Sequence, residues 1–441
     1  PAVRNRFDRR QFFERAAGLA AFVASSGQSV QAAQATPIAN LRLGFIGVGG
    51  RGSGHVRDAL RLPNVQLKAV CDIVPSRVEM VQNWAQKAGQ PRPEGYSKGD
   101  TDFKRLCANP DLDAIYIATP WEWHVRMCVE AMRNGKHAIV EVPAATTLEE
   151  CWELVETSEA TGKYCVMLEN CNYDEVELMA LNMARKGLFG DLVHAECGYL
   201  HDLRAEKFSN RGEGLWRLNH AIKRNADLYP THGLGPVAQT LGVNRGNLFD
   251  HMVSMASKTE GLREYARAKF GPESPQAKLD IQLGDVVSSL IRTRAGQTIL
   301  VVHDTNLPRP YSRKVLIQGT KGILEKYPTP QIYIEGRDKN HEWVDLMKGY
   351  AAEFEHPLWK ELQERSKGAG HGGMDFVLNY RLTQCLIKGE PPDMDVYDAA
   401  ALSSVTALSE TSIANHSRSV DFPDFTRGKW RNRAPLGIVT A

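Results

Sequence analysis

Leu41-Arg42-Leu43-Gly44-Phe45-Ile46-Gly47-Val48-Gly49-Gly50-Arg51-Gly52 is the stretch on which the fold turns. Its first six residues read as a short buried strand and Gly54 to Leu62 continue as a helix, so the glycines occupy a strand-to-helix turn. Gly47 permits the tight turn, Gly49 lets the backbone approach a pyrophosphate, and Gly52 allows the helix to pack close to the strand. The helix N-terminus then faces the phosphates with its unpaired N–H groups. A second strand, Val65 to Ile73, carries Asp72 at its carboxyl end, the spacing expected of an acid that accepts from ribose hydroxyls. Its charge repels a 2′-phosphate, so NAD is expected over NADP, with Arg51 pulling slightly the other way.

Outward from this unit, apolar runs alternate with helical patterns. Asp113 to Ala118, His137 to Val142 and Tyr164 to Glu169 read as strands, and Trp123 to Asn134 and Leu148 to Thr161 as helices. This is the rhythm of a doubly wound parallel sheet, in which ligands lie beyond the carboxyl ends of the strands. Three polar segments fall there: Thr119-Pro120-Trp121-Glu122-Trp123-His124, Glu141-Val142-Pro143 and Asn170-Cys171-Asn172-Tyr173. From about Leu192 the pattern changes. Val193 to Leu200, Asp285 to Arg294, Gln297 to Asp304 and Lys314 to Gly319 alternate as in an open, largely antiparallel sheet. The expected fold class is α/β: a Rossmann doubly wound parallel sheet over 41–165, followed by a second α+β domain over 166–441 with an open, mostly antiparallel sheet. The insert Phe208 to Asp227 is expected to line or cover the site, Val396 to Ile413 to form a helix, and Ser417 to Ala441 an irregular tail.

The 441 residues carry a formal net charge of +2 without a long basic run, so nucleic acid is not an expected partner. No apolar stretch approaches a membrane-spanning length. Residues 1–40 read as an address: Asp8-Arg9-Arg10-Gln11-Phe12-Phe13, a mildly apolar Ala16 to Ala24, then Ala33-Gln34-Ala35. This resembles a twin-arginine signal, which implies the twin-arginine export machinery as a partner and a periplasmic destination. The eight cysteines have irregular spacing and no C-x-x-C pair, and read as buried thiols.

Tyr229-Pro230-Thr231-His232-Gly233 supplies the acid/base chemistry, since imidazole takes and returns a proton near neutral pH. Zinc spacing and Gly-x-Ser-x-Gly are both absent, and no metal is expected.

Thr119-Pro120 with His124, followed by Glu141-x-Pro143, resembles the Gfo/Idh/MocA oxidoreductases. That superfamily usually has a lysine between the glutamate and the proline, acting as acid/base; here it is Val142. Val142 with Ala144 to Trp152, Glu169-Asn170-Cys171-x-Tyr173, Leu181 to Arg185 and Tyr229 to Pro236 resemble glycoside hydrolase family 109, whose members are NAD-dependent α-N-acetylgalactosaminidases. One departure is Asn172, where a second cysteine is common. The resemblance implies a redox-neutral cycle: C3 of the sugar is oxidised, C2 loses a proton, the C1 substituent is eliminated, water adds, and the hydride returns. It assigns acid/base work to His232 and Tyr173, without dividing the steps. It assigns substrate contacts to Tyr199, Arg217, Tyr229, Pro230, Thr231, His232 and Tyr311, and cofactor contacts to Gly50, Arg51, Asp72, Trp121, Glu122, Trp123, His124, Glu141, Val142 and Asn170. The Tyr173 role requires a neighbouring positive charge or the oxidised nicotinamide to lower the phenol's pKa. The other readings are a sugar oxidoreductase, a non-catalytic sugar-binding relative, and a two-carboxylate glycosidase using Glu169, Asp174 and Glu175. Oligomeric state is open, although an exposed sheet face in this fold class often pairs with its twin.

Overall fold

The computed structural model describes residues 37–439. Six strands, β1 (Leu41–Ile46), β2 (Val65–Cys71), β3 (Glu94–Tyr96), β4 (Ala114–Ile117), β5 (His137–Val140) and β6 (Cys165–Met167), form a parallel sheet in the order β3-β2-β1-β4-β5-β6. Every residue of β4, β5 and β6 is buried, which is why these strands are continuous apolar runs rather than alternating ones. Helices Gly50–Ala59, Pro75–Lys87, Phe103–Ala108, Trp121–Arg133 and Leu148–Thr161 make the crossovers. The last begins with a reciprocal Thr147/Glu150 capping box and stops at Gly162, whose φ of 63° ends it in the left-handed region. The strand order reverses between β1 and β4, opening a crevice at their carboxyl ends.

Nine further strands follow: β7 (Leu192–Leu200), β8 (Phe249–Ala256), β9 (Val286–Thr293), β10 (Thr298–Asp304), β11 (Leu316–Gly319), β12 (Gly322–Glu325), β13 (Gln331–Ile334), β14 (Val344–Asp345) and β15 (Val420–Asp421). Their order is β14-β13-β12-β11-β7-β10-β9-β8-β15, antiparallel throughout except for the parallel β7–β10 pair. In β9, Val287, Ser289, Ile291 and Thr293 are buried while Ser288, Leu290 and Arg292 face outward, the alternation of a sheet covered on one side.

Two C-terminal helices pack against the first sheet, and the longer one also reaches the second. Val396–Ala414, capped by Asp395 and rich in Ala and Ser, packs against Leu148–Thr161, β6 and β8. Met374–Lys388 packs against the Gly50–Ala59 helix and β1. The expected boundary at residue 165 is therefore corrected: β6 pairs with β5 through Met167, and the C-terminal segment returns to cover the first sheet. The tail is likewise more ordered than expected, because Val420–Asp421 pairs with β8 and Phe422, Phe425, Leu436 and Ile438 are buried. All eight cysteines are buried and free. No helix among the described residues is long and apolar enough to cross a membrane, and the twin-arginine expectation lies outside them.

Candidate active site

The glycine turn has the form a dinucleotide requires. Gly47 has a φ of 80°, and a Cβ there would meet the carbonyl of Ala118 at 2.5 Å; a Cβ on Gly52 would meet the carbonyl of Gly47 at 1.8 Å. Gly49 caps the Gly50–Ala59 helix without a side chain, and a Cβ on Gly50 would meet nothing within 4 Å, so the start of the helix is not crowded by side chains at Gly50. Asp72 closes β2 and accepts from the backbone N–H groups of Val48 and Val74, both at 2.9 Å, which fixes its carboxylate against the loop. Exposed Ile73 and Val74 continue from it as an apolar shoulder. These residues fit a bound NAD.

Beneath the loop lies an ion network that the sequence did not disclose. Arg51 donates to Glu141 at 2.9 Å and to Asp375 at 2.7 Å, Glu141 also meets His55 at 2.7 Å, and Asn170 donates to Asp375 at 2.7 Å. Burial opposes the charges on Glu141 and Asp375, but Arg51 and the adjoining histidines outweigh it and hold both carboxyls far below their usual range. Glu141, Arg51 and Asn170, expected as cofactor contacts, thus lock the turn to the helix Met374–Lys388.

The segment opening helix Trp121–Arg133 divides. Trp121 is buried against His220 and Tyr229, while Glu122 is exposed, with a carboxylate oxygen 3.9 Å from Nε2 of His220. Two expected cofactor contacts need correction. Trp123, two residues beyond Trp121 and so on the opposite side of the helix, lies edge-on to Phe103. His124 is 0 % exposed with both ring nitrogens 2.8 Å from the carbonyls of Pro143 and Thr119, so its side chain pins two strand ends together. Val142 is buried and carries no proton.

Opposite the crevice stands an aromatic cluster from three distant parts of the chain. The ring of Tyr229 is 5.7 Å from Trp121, 4.6 Å from Tyr199 and 4.9 Å from His232. Arg217, on helix Gly214–Lys223 of the insert, lies over Tyr229 at 4.6 Å and Trp121 at 5.1 Å, and its other side is held by Glu213. Arg217 thus brings the insert against the aromatic cluster. Tyr311 borders the cluster 6.2 Å from Tyr199 and is 40 % exposed. Pro230 and Thr231 are buried at the start of helix Thr231–Thr240 and position His232 rather than face outward. Gly233 is required there, since a Cβ would meet the backbone of Gly198 at 2.3 Å.

His232 Nδ1 lies 2.7 Å from Oε1 of Glu169, a fully buried residue. Burial opposes that carboxylate, but the attraction of His232 prevails and keeps its pKa low. Ligand atoms of Glu169, Cys171 and His232 lie within 4.8 Å of one another. Burial keeps the Cys171 thiol protonated, and Oε1 of Glu169 is held by His232 while its Oε2 is buried without a hydrogen-bond partner among the described residues, so the trio reads as a charge pair beside a thiol.

Tyr173 is a further correction. Its hydroxyl lies 3.2 Å from Asp393, within a pair that Asp393 makes with Arg381, and the side chain is 2 % exposed. Burial and then Asp393 push the phenol well above its ordinary value, and its hydroxyl is directed to Asp393 rather than to His232. Asp174, named in the two-carboxylate reading, is ion-paired with Arg313 and Lys326 and held below its usual range despite burial. His201, His220 and Asp227 adjoin the cluster without having been read from the sequence. Only His201 left a signal there, two residues after Tyr199 at strand spacing.

A dinucleotide fold whose strand ends meet a histidine-carboxylate pair and an aromatic wall defines an NAD-binding enzyme of the Gfo/Idh/MocA type. The family model "Oxidoreductase family, NAD-binding Rossmann fold" matches residues 41–169, and "Glycosyl hydrolase 109, C-terminal domain" matches 173–432. A "Glycosyl hydrolase family 109 protein" of Shewanella pealeana is 47% identical over 420 residues, 94% of this chain and 92% of the relative. An "Alpha-N-acetylgalactosaminidase" of Shewanella oneidensis is 46% identical over 422 residues, 95% and 92% of the two chains. Among solved structures, a levoglucosan dehydrogenase in complex with NADH shares the fold at a TM-score of 0.68 and 20% identity, over 87% of this chain and 99% of that one. The chain belongs to glycoside hydrolase family 109.

Proposed function

We propose that this enzyme hydrolyses terminal α-linked N-acetylgalactosamine with NAD bound and not consumed. The observation that carries the reading is the His232–Glu169 pair facing, across Tyr229, the Trp121 ring at the end of the dinucleotide sheet. The name of the Shewanella oneidensis relative supports the choice of sugar. Backbone N–H groups of Gly49 to Gly52 would hold the pyrophosphate, Asp72 a ribose, and Ile73 the adenine face. The nicotinamide, when bound, supplies a reversible hydride acceptor for C3 of the sugar. His232 takes the C2 proton and later returns it, and Glu169 holds the ring and balances its charge. Tyr199, Tyr229 and Trp121 give the sugar an apolar wall, and Arg217 donates to its hydroxyl or acetamido oxygens.

A sugar dehydrogenase would need a proton carrier where Val142 stands. Of the three carboxyls a two-carboxylate glycosidase would draw on, Glu169 and Asp174 are held as anions, and only Glu175, raised by burial and then by Glu355, is shifted toward the protonated acid. The discriminating experiment incubates the holoenzyme with a chromogenic α-N-acetylgalactosaminide in deuterated water without added oxidant. Release of aglycone with deuterium at C2 is expected; net NADH accumulation would instead identify a dehydrogenase, and saturable binding with neither would identify a receptor.

Two further parts of the proposal concern the cell. Residues 1–40 direct export through the twin-arginine route; a reporter fused to them should reach the periplasm, and replacement of Arg9 and Arg10 by lysine should stop it. The outer face of the nine-stranded sheet pairs with a second copy, supported by Val253, Leu290 and Leu300 standing in register on β8, β9 and β10.

A further inference from the structure

The site holds a second proton-bearing pair on its open side. His201 follows β7 directly, and its backbone N–H donates to the carbonyl of Asp304 at 2.8 Å, so the sheet sets the ring's position. Its Nδ1 lies 3.0 Å from the Tyr199 hydroxyl, and its ring stands edge-on to Tyr311 at 5.0 Å. Tyr199 is in turn 5.5 Å from His232 by ring centre, so the two pairs flank one space. They differ in depth. The supporting groups are Glu169, completely buried beneath His232, and His201, partly exposed and bordering the exposed Tyr311, while of the proton carriers Tyr199 at 6 % is less exposed than the His232 side chain at 15 %.

Elimination across C1 and C2 moves two protons, one from carbon and one to the departing oxygen. His232 must keep the C2 proton in order to return it to C2, so a second group supplies the proton of the departing oxygen. The acid for the aglycone is therefore a group beside His232, and Tyr199, buried but joined to the partly exposed His201, stands there. We propose, resting on the glycosidase reading above, that Tyr199 is the acid for the departing oxygen and the base for the incoming water, with His201 as its positioning residue.

The step balances without a co-reactant. The Tyr199 O–H proton passes to the glycosidic oxygen as the C1–O bond breaks, its electron pair leaving with the aglycone as an alcohol. The phenolate so formed accepts from Nδ1–H of His201 and faces the Arg217 charge. In the second half, water gives its hydroxyl to C1 and its proton back to Tyr199. Burial pushes Tyr199 up to about 12, still below an ordinary alcohol, and Arg217 pulls it down. Burial and then Arg217 push His201 below the usual imidazole range, against Asp202 and Glu213, so at neutral pH it is an uncharged ring with one N–H to donate.

The test compares Tyr199→Phe, His201→Phe and His201→Gln as NAD-loaded full-length enzymes on a nitrophenyl and an alkyl α-N-acetylgalactosaminide. An acidic nitrophenol leaves without help and an alcohol does not. Y199F is therefore expected to lose about 100-fold or more on the alkyl glycoside and under about 10-fold on the nitrophenyl one. H201F should follow in the same direction, H201Q should recover part of the loss because its amide can still donate, and deuterium should still enter C2 in all three. Equal losses on both glycosides, or none, would overturn the proposal, and a fold defect in H201F would not hide this because H201Q and Y199F report independently. A wild-type enzyme that cleaves neither glycoside would overturn the glycosidase reading instead.

Discussion

Oε1 of Glu169 lies 2.7 Å from Nδ1 of His232, and the carboxylate is 0 % exposed while the imidazole side chain is 15 % exposed. The proton-carrying ring faces the site and its counter-charge lies behind it, out of reach of water. Glu169→Gln keeps the shape but cannot balance an imidazolium. We expect kcat to fall by about 100-fold or more with KM changed little, measured by initial rates on the chromogenic glycoside.

Tyr173 and Glu169 flank the same short turn, yet only one faces His232. Tyr173→Phe should cost about 1 kcal/mol of stability through the lost Asp393 contact and leave kcat within a few-fold of the parent. A kcat loss as large as that of Glu169→Gln would restore the phenol to the chemistry.

Asp227 precedes Tyr229 and accepts from its N–H at 3.1 Å, while its second oxygen is buried without a partner. Burial raises this carboxyl to about 7, against the Tyr229 hydrogen bond. The folded-state value lies above the unfolded one, so its contribution is complete in acid and is lost as pH rises through about 7. Asp227→Asn keeps an acceptor without the charge. Thermal melts from about pH 4 to about pH 8 should show the variant gaining on the parent by about 1 to 3 kcal/mol, the gain levelling off above about pH 7; a constant difference would contradict this.

Arg217 is buried between Glu213 and two aromatic faces, a place where a flat guanidinium fits and an ammonium does not. Arg217→Lys should raise KM about 10-fold or more for the N-acetylated sugar. Isothermal titration with N-acetylgalactosamine should show the same loss.

Val253 and Leu290 lie opposite each other on β8 and β9 at 36% and 45% exposure. Leu290→Lys places a charge in that row and should shift the protein toward monomer in sedimentation velocity, with aglycone release per chain maintained. An unchanged sedimentation coefficient would remove this face as the interface.

The glycine turn, the parallel strands and the switch to an antiparallel sheet were legible in the chain because each is a local pattern: spacing for the turn, period for the strands, and small residues where backbone must pass close. Gly233 and His232 sit one residue apart and report the same close approach to β7. What the sequence could not reveal was which polar groups would meet after folding. Asp375 reaches Arg51 across 324 positions and Asp393 reaches Tyr173 across 220. Asp375 lies on the helix Met374–Lys388 and Asp393 in the bend after it, both returning from the far end of the chain, where neither motif nor period marks them. Their burial decides the charge on each group: Tyr173 became an interior anchor and Glu169 an ionised counter-charge because desolvation and the nearest ion, not residue type, set which protons can move.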